Sequence, residues 1–148
     1  MIRIMFVCHG NICRSTMSEF VMKHLIKKAG LENEIYVASS ATSYEEIGND
    51  THYGTKAVLD KHGILYTKRG AVHLEKSDYD KYDYFIGMDD ANVSNMKKIL
   101  GRNDKIYKLL EFAGSARSIS DPWYTHDFDS TYADVTEGCT ALLDFLKK

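Results

Sequence analysis

The chain opens with a nearly continuous apolar run that leads, through a short turn, into a helical pattern. The run IRIMFV at residues 2–7 is typical of a strand buried on both faces of a parallel sheet. Residues 17–26 then carry apolar side chains at helical spacing, and Gly30 marks the end of that helix. Ser15 or Thr16 is predicted to cap its start. A buried strand followed directly by a helix predicts a βαβ unit.

The same alternation continues along the rest of the chain. Further strands are predicted at 35–40, within 82–90 and at 105–110, and helices at about 53–62 and 91–100. A last helix carries an apolar face made of Tyr132, Val135, Cys139, Leu142 and Leu146. That face predicts packing against the sheet. We therefore expect residues 1–148 to form one α/β domain, a doubly wound three-layer α/β/α sandwich around a four-stranded parallel sheet.

Composition excludes several classes of function. The 148 residues carry a formal net charge of −2, so we expect no general attraction to nucleic acid or to an anionic membrane. No apolar run has the length of a membrane span, and the N-terminal run is too short for a signal peptide, which favours a cytoplasmic location. Three cysteines are too few for a disulfide scaffold and lack zinc-site spacing. We expect reduced thiols and no metal.

The turn after the first strand has the composition of an anion-binding loop. It reads Cys8-His9-Gly10-Asn11-Ile12-Cys13-Arg14-Ser15, a C-x₅-R-S pattern between a strand end and a helix start. Free N–H groups at a helix N-terminus attract anions, and Gly10 allows the backbone to curve around one centre. The planar fork of Arg14 can hold two phosphate oxygens. The same positive groups favour the thiolate form of Cys8, which we predict to be a nucleophile.

A thiolate that attacks a phosphate ester also needs a proton donor for the leaving group. Asp121 is the candidate, because the segment SDPWY at 120–124 follows the predicted fourth strand. Loops at the carboxyl ends of parallel strands meet at one edge of the sheet. Trp123 and Tyr124 beside it can form walls for a flat substrate.

Together these motifs resemble the low-molecular-weight protein tyrosine phosphatase family. Segments that match the family pattern lie at 8–15, 37–43, 62–64, 83–89 and 121–124, in the family's order. The resemblance covers nearly the whole chain. It implies hydrolysis of a phosphotyrosine protein or peptide, without metal or cofactor, through a phosphocysteine on Cys8. Arg14 would bind the phosphate, and Asp121 would act first as acid and then as base.

The resemblance also implies supporting roles for three polar residues. Ser15 would hydrogen-bond the sulfur of Cys8, and Asn11 would hold the shape of the loop through a network with Ser39. Cys13 is a candidate redox partner, since a thiol close to a reactive one can trap its oxidised form as a disulfide. We expect the protein to act as a monomer or weak dimer.

The chain departs from the family pattern at two places near the site. His52-Tyr53-Gly54 stands where the family has Asp-Pro-Arg, and Glu45 stands where an aromatic residue is usual. We expect Tyr44 to supply the missing wall, together with Trp123 and Tyr124. An acidic Glu45 is expected to disfavour acidic phosphopeptides.

Three alternative functions use the same loop for phosphate or another oxyanion. An arsenate reductase of this fold relays oxidation through two further cysteines, whereas Cys139 is expected on a packing helix. Protein-arginine phosphatases resemble the family but tend to have threonine at the position of Ile12. A non-catalytic phosphate-binding domain would not need Asp121.

Overall fold

The computed structural model describes residues 1–148. Its strands and α-helices are, in chain order, β1 Ile2–Cys8, α1 Arg14–Lys28, β2 Ile35–Ala41, α2 Tyr53–Lys61, β3 Tyr84–Gly87, α3 Asp90–Leu100, β4 Ile106–Lys108, α4 Pro122–Thr125 and α5 Phe128–Leu146. The four strands form one parallel sheet in the order β2-β1-β3-β4. The predicted doubly wound α/β fold is confirmed. None of the helices combines the length and apolar character needed to cross a membrane.

The central position of β1 explains its continuous apolar sequence. Ile4 and Phe6 belong to a core cluster that also contains buried residues of α1 and α5. Met5 and Val7 point into a second cluster on the other face of the sheet, which includes buried residues of α3. Because successive side chains of a strand alternate between faces, β1 contributes to both cores. The two cores hold the three layers together.

The sequence prediction for α1 is wrong about its cap. The helix begins at Arg14, and Cys13 occupies the N-cap position without a side-chain capping bond. Ser15 instead contacts the sulfur of Cys8, and the Thr16 hydroxyl donates to the carbonyl of Cys13. Both hydroxyls are used to hold the preceding loop, so neither is available to cap the helix.

The fourth strand is shorter than predicted. It covers Ile106–Lys108, and the chain then turns into a 3-10 helix at Leu109–Ala113. As an edge strand it pairs only with β3. Leu109 and Leu110 were predicted to end the strand, but they belong to this 3-10 helix. Both are fully buried in the core shared with α1 and α5.

The segment that carries Asp121 returns to the carboxyl end of β3. The backbone N–H of Ile119 donates to the carbonyl of Met88 at 2.9 Å, and the carbonyl of Ile119 accepts from Arg14 at 2.9 Å. These bonds bring the C-x₅-R-S loop and the 115–121 segment to the same edge of the sheet.

Candidate active site

The sulfur of Cys8 lies at the end of β1, where two hydrogen-bonding groups meet it. The backbone N–H of Asn11 donates to Sγ at 3.3 Å, and the hydroxyl oxygen of Ser15 lies 3.0 Å from Sγ. The loop reaches this curvature through a left-handed backbone at Asn11, whose φ is 60°. Asparagine tolerates that conformation better than most residues do. Donors directed at one sulfur stabilise negative charge there.

A chain of side-chain hydrogen bonds stands behind the loop. The amide nitrogen of Asn11 donates to the Ser15 oxygen at 2.8 Å and to the Ser39 oxygen at 2.9 Å. Ser39 in turn donates to a carboxylate oxygen of Glu19 at 2.5 Å. The structure therefore brings together Asn11, Ser15 and Ser39, as the family resemblance implied, and adds Glu19.

Arg69 completes this network, and sequence reasoning missed it. Its guanidinium donates to Ser39 at 2.6 Å and to the amide oxygen of Asn11 at 2.7 Å, and it lies 3.5 Å from the Glu19 carboxylate. The backbone N–H of Val72 also donates to the Asn11 oxygen. Arg69 is 58 positions from Asn11 in an irregular segment, so no periodic pattern could have linked them.

Arg14 is 2% exposed and is held by three hydrogen bonds. Nη1 donates to Asp89 at 2.7 Å and to the Ile119 carbonyl, and Nη2 donates to Asp121 at 3.3 Å. Burial opposes its positive charge, but Cys8, Asp89 and Asp121 together outweigh burial and raise the pKa of the guanidinium. Arg14 is therefore a permanent cation in the site.

Two N–H donors of Arg14 remain without a partner inside the protein. A guanidinium has five N–H bonds, and three are used by the contacts to Asp89, Ile119 and Asp121. One hydrogen on Nη2 and the hydrogen on Nε remain, and these donors are available to a ligand in the cavity.

The carboxylate of Asp121 is fixed at both oxygens. One oxygen accepts from the backbone N–H of Trp123 at 3.0 Å, which makes Asp121 the N-cap of α4, and the other accepts from Arg14. Pro122 occupies the first position of that short helix, where its missing N–H has no cost. The Asp-Pro pair thus holds the Asp121 carboxylate beside the Arg14 guanidinium.

These groups line a cavity of about 90 Å³. Six of its lining residues, Cys8, His9, Gly10, Ile12, Cys13 and Arg14, belong to the C-x₅-R-S loop. The other five are Glu45, Glu46, Asp121, Trp123 and Tyr124. The structure thus brings the three proposed catalytic residues and two of the three expected wall residues to one cavity.

Tyr44, the third expected wall residue, lies outside the cavity lining. Its ring stacks on that of His73, with centroids 3.8 Å apart and planes within 3° of parallel. Glu45 and Glu46, from the same loop, line the cavity instead. The stacking on His73 explains why the tyrosine does not replace the missing aromatic wall.

The sequence of this chain matches the family described as low molecular weight phosphotyrosine protein phosphatase over residues 3–148. The chain belongs to this family. It is 37% identical over 150 residues to a low molecular weight protein-tyrosine-phosphatase PtpA of Staphylococcus epidermidis, covering 100% of this chain and 96% of that protein.

Several solved structures superpose closely on this chain. YfkJ from Bacillus subtilis superposes with a TM-score of 0.95 at 34% identity, covering 99% of this chain and 95% of that one. A low molecular weight protein tyrosine phosphatase from Streptococcus pyogenes gives 0.89 at 40% identity, covering 99% and 93%. An arginine phosphatase from Drosophila gives 0.90 at 26% identity, covering 98% of each chain.

The His52-Tyr53-Gly54 departure from the phosphatase family has a structural explanation. His52 caps α2, since its Nδ1 accepts from the Gly54 N–H at 3.0 Å, and its own N–H donates to the Ile12 carbonyl. Its ring packs 5.1 Å from that of Phe128 and 5.7 Å from that of Trp123, measured between centroids. A Cβ at Gly54 would lie 2.5 Å from the Phe128 ring, so any other residue would displace that ring. An aromatic cluster has replaced the family's Asp-Pro-Arg.

The two remaining cysteines occupy different environments. Cys13 lines the cavity, and burial, followed by the charges of Cys8 and Asp121, raises its pKa to about 12, so it stays protonated. Cys139 is fully buried in the core on α5, as predicted, and burial raises the pKa of its thiol far above the usual range. It does not line the cavity, so this phosphatase-family site lacks the second relay cysteine that a thioredoxin-linked arsenate reductase uses.

Proposed function

We propose that this protein hydrolyses phosphotyrosine in proteins or peptides, and small aryl phosphates, through a phosphocysteine on Cys8. Family membership supports tyrosine phosphatase activity. The observation that carries the residue assignment is that Cys8, Arg14 and Asp121 line one cavity, with Arg14 and Asp121 in contact. Nucleophile, phosphate fork and proton donor are thus within one small site.

In the first half of the reaction, the Cys8 thiolate attacks the phosphorus of the bound ester. An S–P bond forms while the bond between phosphorus and the tyrosine oxygen breaks. The departing oxygen takes a proton from Asp121, so that it leaves as a neutral phenol. Arg14 and the loop N–H groups hold the phosphate oxygens as charge develops on them.

In the second half, Asp121 acts as a base. Its carboxylate takes a proton from water, and the resulting hydroxide attacks phosphorus. The S–P bond breaks, and the electron pair returns to Cys8. The Ser15 hydroxyl donates to the departing thiolate, and inorganic phosphate is released.

Three features of the site favour this function over the alternatives. Ile12 presents an apolar side chain to the cavity, and Trp123 and Tyr124 supply aromatic surface, which suits an aryl leaving group better than a guanidinium. The location of Cys139 opposes an arsenate reductase relay. Asp121 in contact with Arg14 opposes a domain that only binds phosphate.

Cys13 is proposed as a redox partner for Cys8, because both free thiols line the same cavity. A peroxide would oxidise the Cys8 thiolate to a sulfenic acid. The Cys13 thiol would then form the disulfide with release of water, before further oxidation. Mass spectrometry of the peroxide-treated protein tests this. A Cys8–Cys13 disulfide supports the role, and Cys8 sulfinic acid beside a free Cys13 contradicts it.

We further propose that residues 1–148 act as one phosphatase domain, as a monomer or weak dimer, without nucleic acid or membrane partners. The three free cysteines suit a reducing compartment, which supports a cytoplasmic location. Gel filtration of the pure protein tests the oligomeric state, and a stable tetramer or larger assembly would contradict this proposal.

A panel of substrates tests the main proposal directly. Turnover is measured for p-nitrophenyl phosphate and for matched peptides that contain phosphotyrosine, phosphoserine or phosphoarginine, all in the presence of a chelator. We expect hydrolysis of the two aryl esters only. Preference for phosphoarginine would favour the arginine phosphatase alternative, and inhibition by the chelator would contradict a metal-independent mechanism.

A further inference from the structure

Part of the cavity lining is acidic. Glu45 and Glu46 lie in the loop between β2 and α2 and contribute to the lining together with the aromatic residues Trp123 and Tyr124. Sequence reasoning placed an acidic residue near the cleft, and the structure shows two at its mouth. They are not needed for the chemistry of phosphate transfer proposed above.

Both carboxylates are held at the mouth by contacts with their surroundings. An oxygen of Glu45 lies 2.7 Å from Nε2 of His9 in the phosphate loop. Glu46 accepts from the side-chain amide of Asn49 at 2.6 Å. The Glu46 side chain also packs on Gly10, where an added Cβ would lie 3.3 Å from its Cγ. The two acidic groups therefore have defined positions next to the C-x₅-R-S loop.

The net charge at the mouth of the cavity is negative whether the His9 ring is neutral or protonated. No lysine lines the cavity, and its only basic side chains are His9 and Arg14. Arg14 is engaged by Asp89 and Asp121. A neutral His9 ring donates a hydrogen bond to Glu45 without cancelling its charge, and a protonated ring cancels one of the two carboxylates. Glu46 then remains uncompensated.

We propose that this phosphatase selects phosphotyrosine that has a lysine or arginine close to it in the substrate sequence. The inference rests on the proposed function, because it requires the phosphate and the aromatic ring to occupy the cavity. Side chains that flank the tyrosine then lie at the mouth, where cations are attracted to Glu45 and Glu46 and acidic side chains are repelled. Solvent-exposed ion pairs change an equilibrium constant by about two- to fivefold each.

Matched peptides test the proposal. Three peptides of equal length carry phosphotyrosine flanked by lysine, alanine or glutamate, and kcat/KM for each is divided by the value for p-nitrophenyl phosphate. We expect the order lysine, alanine, glutamate, with about a tenfold span from first to last at low ionic strength. The span should shrink in about 0.5 M salt, because exposed charges are then screened.

Variants identify the residues responsible. Glu45→Gln and Glu46→Gln should each reduce the lysine-to-glutamate ratio by about two- to fivefold. Glu34→Gln, a change to an exposed glutamate outside the cavity, is the matched control and should leave the ratio unchanged. Thermal unfolding verifies that each variant is folded.

Two results would overturn the proposal. The first is equal normalised kcat/KM for the three peptides, and the second is an unchanged ratio in both glutamine variants. Absence of turnover for p-nitrophenyl phosphate and for all three peptides would instead contradict the proposed function. The two failures are therefore distinguishable.

Discussion

The hydroxyl oxygen of Ser15 lies 3.0 Å from the sulfur of Cys8, and Asn11 determines the direction of the hydrogen bond between them. The Asn11 amide nitrogen, which can only donate, contacts the same hydroxyl oxygen at 2.8 Å. The Ser15 hydrogen is therefore free to point at the sulfur. In the proposed mechanism, this bond would stabilise the thiolate as nucleophile and again as leaving group.

Replacement of the nucleophile, Cys8→Ser, should reduce turnover to background while the fold and phosphate binding remain. Serine lacks the easily ionised sulfur, but the loop N–H groups and Arg14 are unchanged. Acid quenching during turnover of ³²P-labelled substrate should trap a phosphoenzyme with the parent protein and none with the variant. Substantial hydrolysis by the variant would contradict the covalent mechanism.

Arg14→Lys should lower kcat/KM by about 10²–10³-fold, although the charge is retained. A lysine cannot present two parallel N–H donors, and its three N–H bonds cannot serve Asp89, Ile119, Asp121 and the phosphate together. Steady-state kinetics with p-nitrophenyl phosphate measure the loss. Arg102→Lys, at an exposed arginine that pairs with Asp104 and lies over the Tyr79 ring, is the control and should be near normal.

Asp121→Asn should slow the reaction by about 10²–10⁴-fold, because the leaving group loses its proton donor. An asparagine oxygen can still cap α4, so the loop should keep its shape. The informative measurement is kcat/KM for a series of aryl phosphates. The dependence on leaving-group pKa should be steeper in the variant, and equal slopes would indicate that another residue is the acid.

Arg69→Met should reduce phosphatase activity although Arg69 does not line the cavity. It should also lower the free energy of unfolding by about 1–3 kcal/mol. The change removes the donors to Asn11 and Ser39 that support the left-handed loop residue. The rate of Cys8 alkylation by iodoacetate tests positioning directly and should fall. Arg69→Lys should recover part of the rate, whereas equal alkylation in all three proteins would contradict a positioning role.

Protonation of His52 should change the fluorescence of Trp123, which is the only tryptophan of the chain. Burial lowers the pKa of His52 from its ordinary 6.5, Glu46 opposes this shift and His126 adds to it. The folded state therefore binds fewer protons than the unfolded state below about pH 6.5, and stability falls as the pH drops through that value. Protonation of Nδ1 also removes the cap on Gly54.

Tryptophan fluorescence measures this titration. Fluorescence should be quenched as the pH falls, with a midpoint below 6.5, because the His52 ring is in edge contact with the indole. His52→Asn keeps a side-chain cap but should lose the step. His126→Asn, at a left-handed position that asparagine tolerates, should keep it. A step that persists in His52→Asn would show that another group quenches Trp123.

The elements of the proposed site were predictable because each is a local pattern at a known place in the fold. The apolar strand before Cys8 and the helix after Arg14 define an anion-binding turn on their own. The meeting of Asp121 with Arg14 follows from one further rule, that the carboxyl ends of parallel strands share an edge. The role of Ser39 came only from the resemblance to a known family.

Other features depended on packing between distant segments. Tyr44 was expected at the substrate, yet it stacks on His73, which is far from it in sequence. Arg69 and Glu19 support the loop from elements whose own sequences carry no sign of that role. The predicted cap of α1 by Ser15 or Thr16 was wrong for a local reason, since the Ser15 hydroxyl contacts the sulfur of Cys8, as the family resemblance implied.

The amino-acid sequence by itself determined the strands and the longer helices in chain order, the strand buried on both faces and the position of the C-x₅-R-S loop between a strand and a helix, because these follow from hydrophobic periodicity and local backbone chemistry. The tertiary structure alone revealed that Glu19 and Arg69 support the loop and that Glu46 lines the cavity beside Glu45. Those contacts join segments that are far apart in the chain, and their geometry is set by the packing of helices on the sheet.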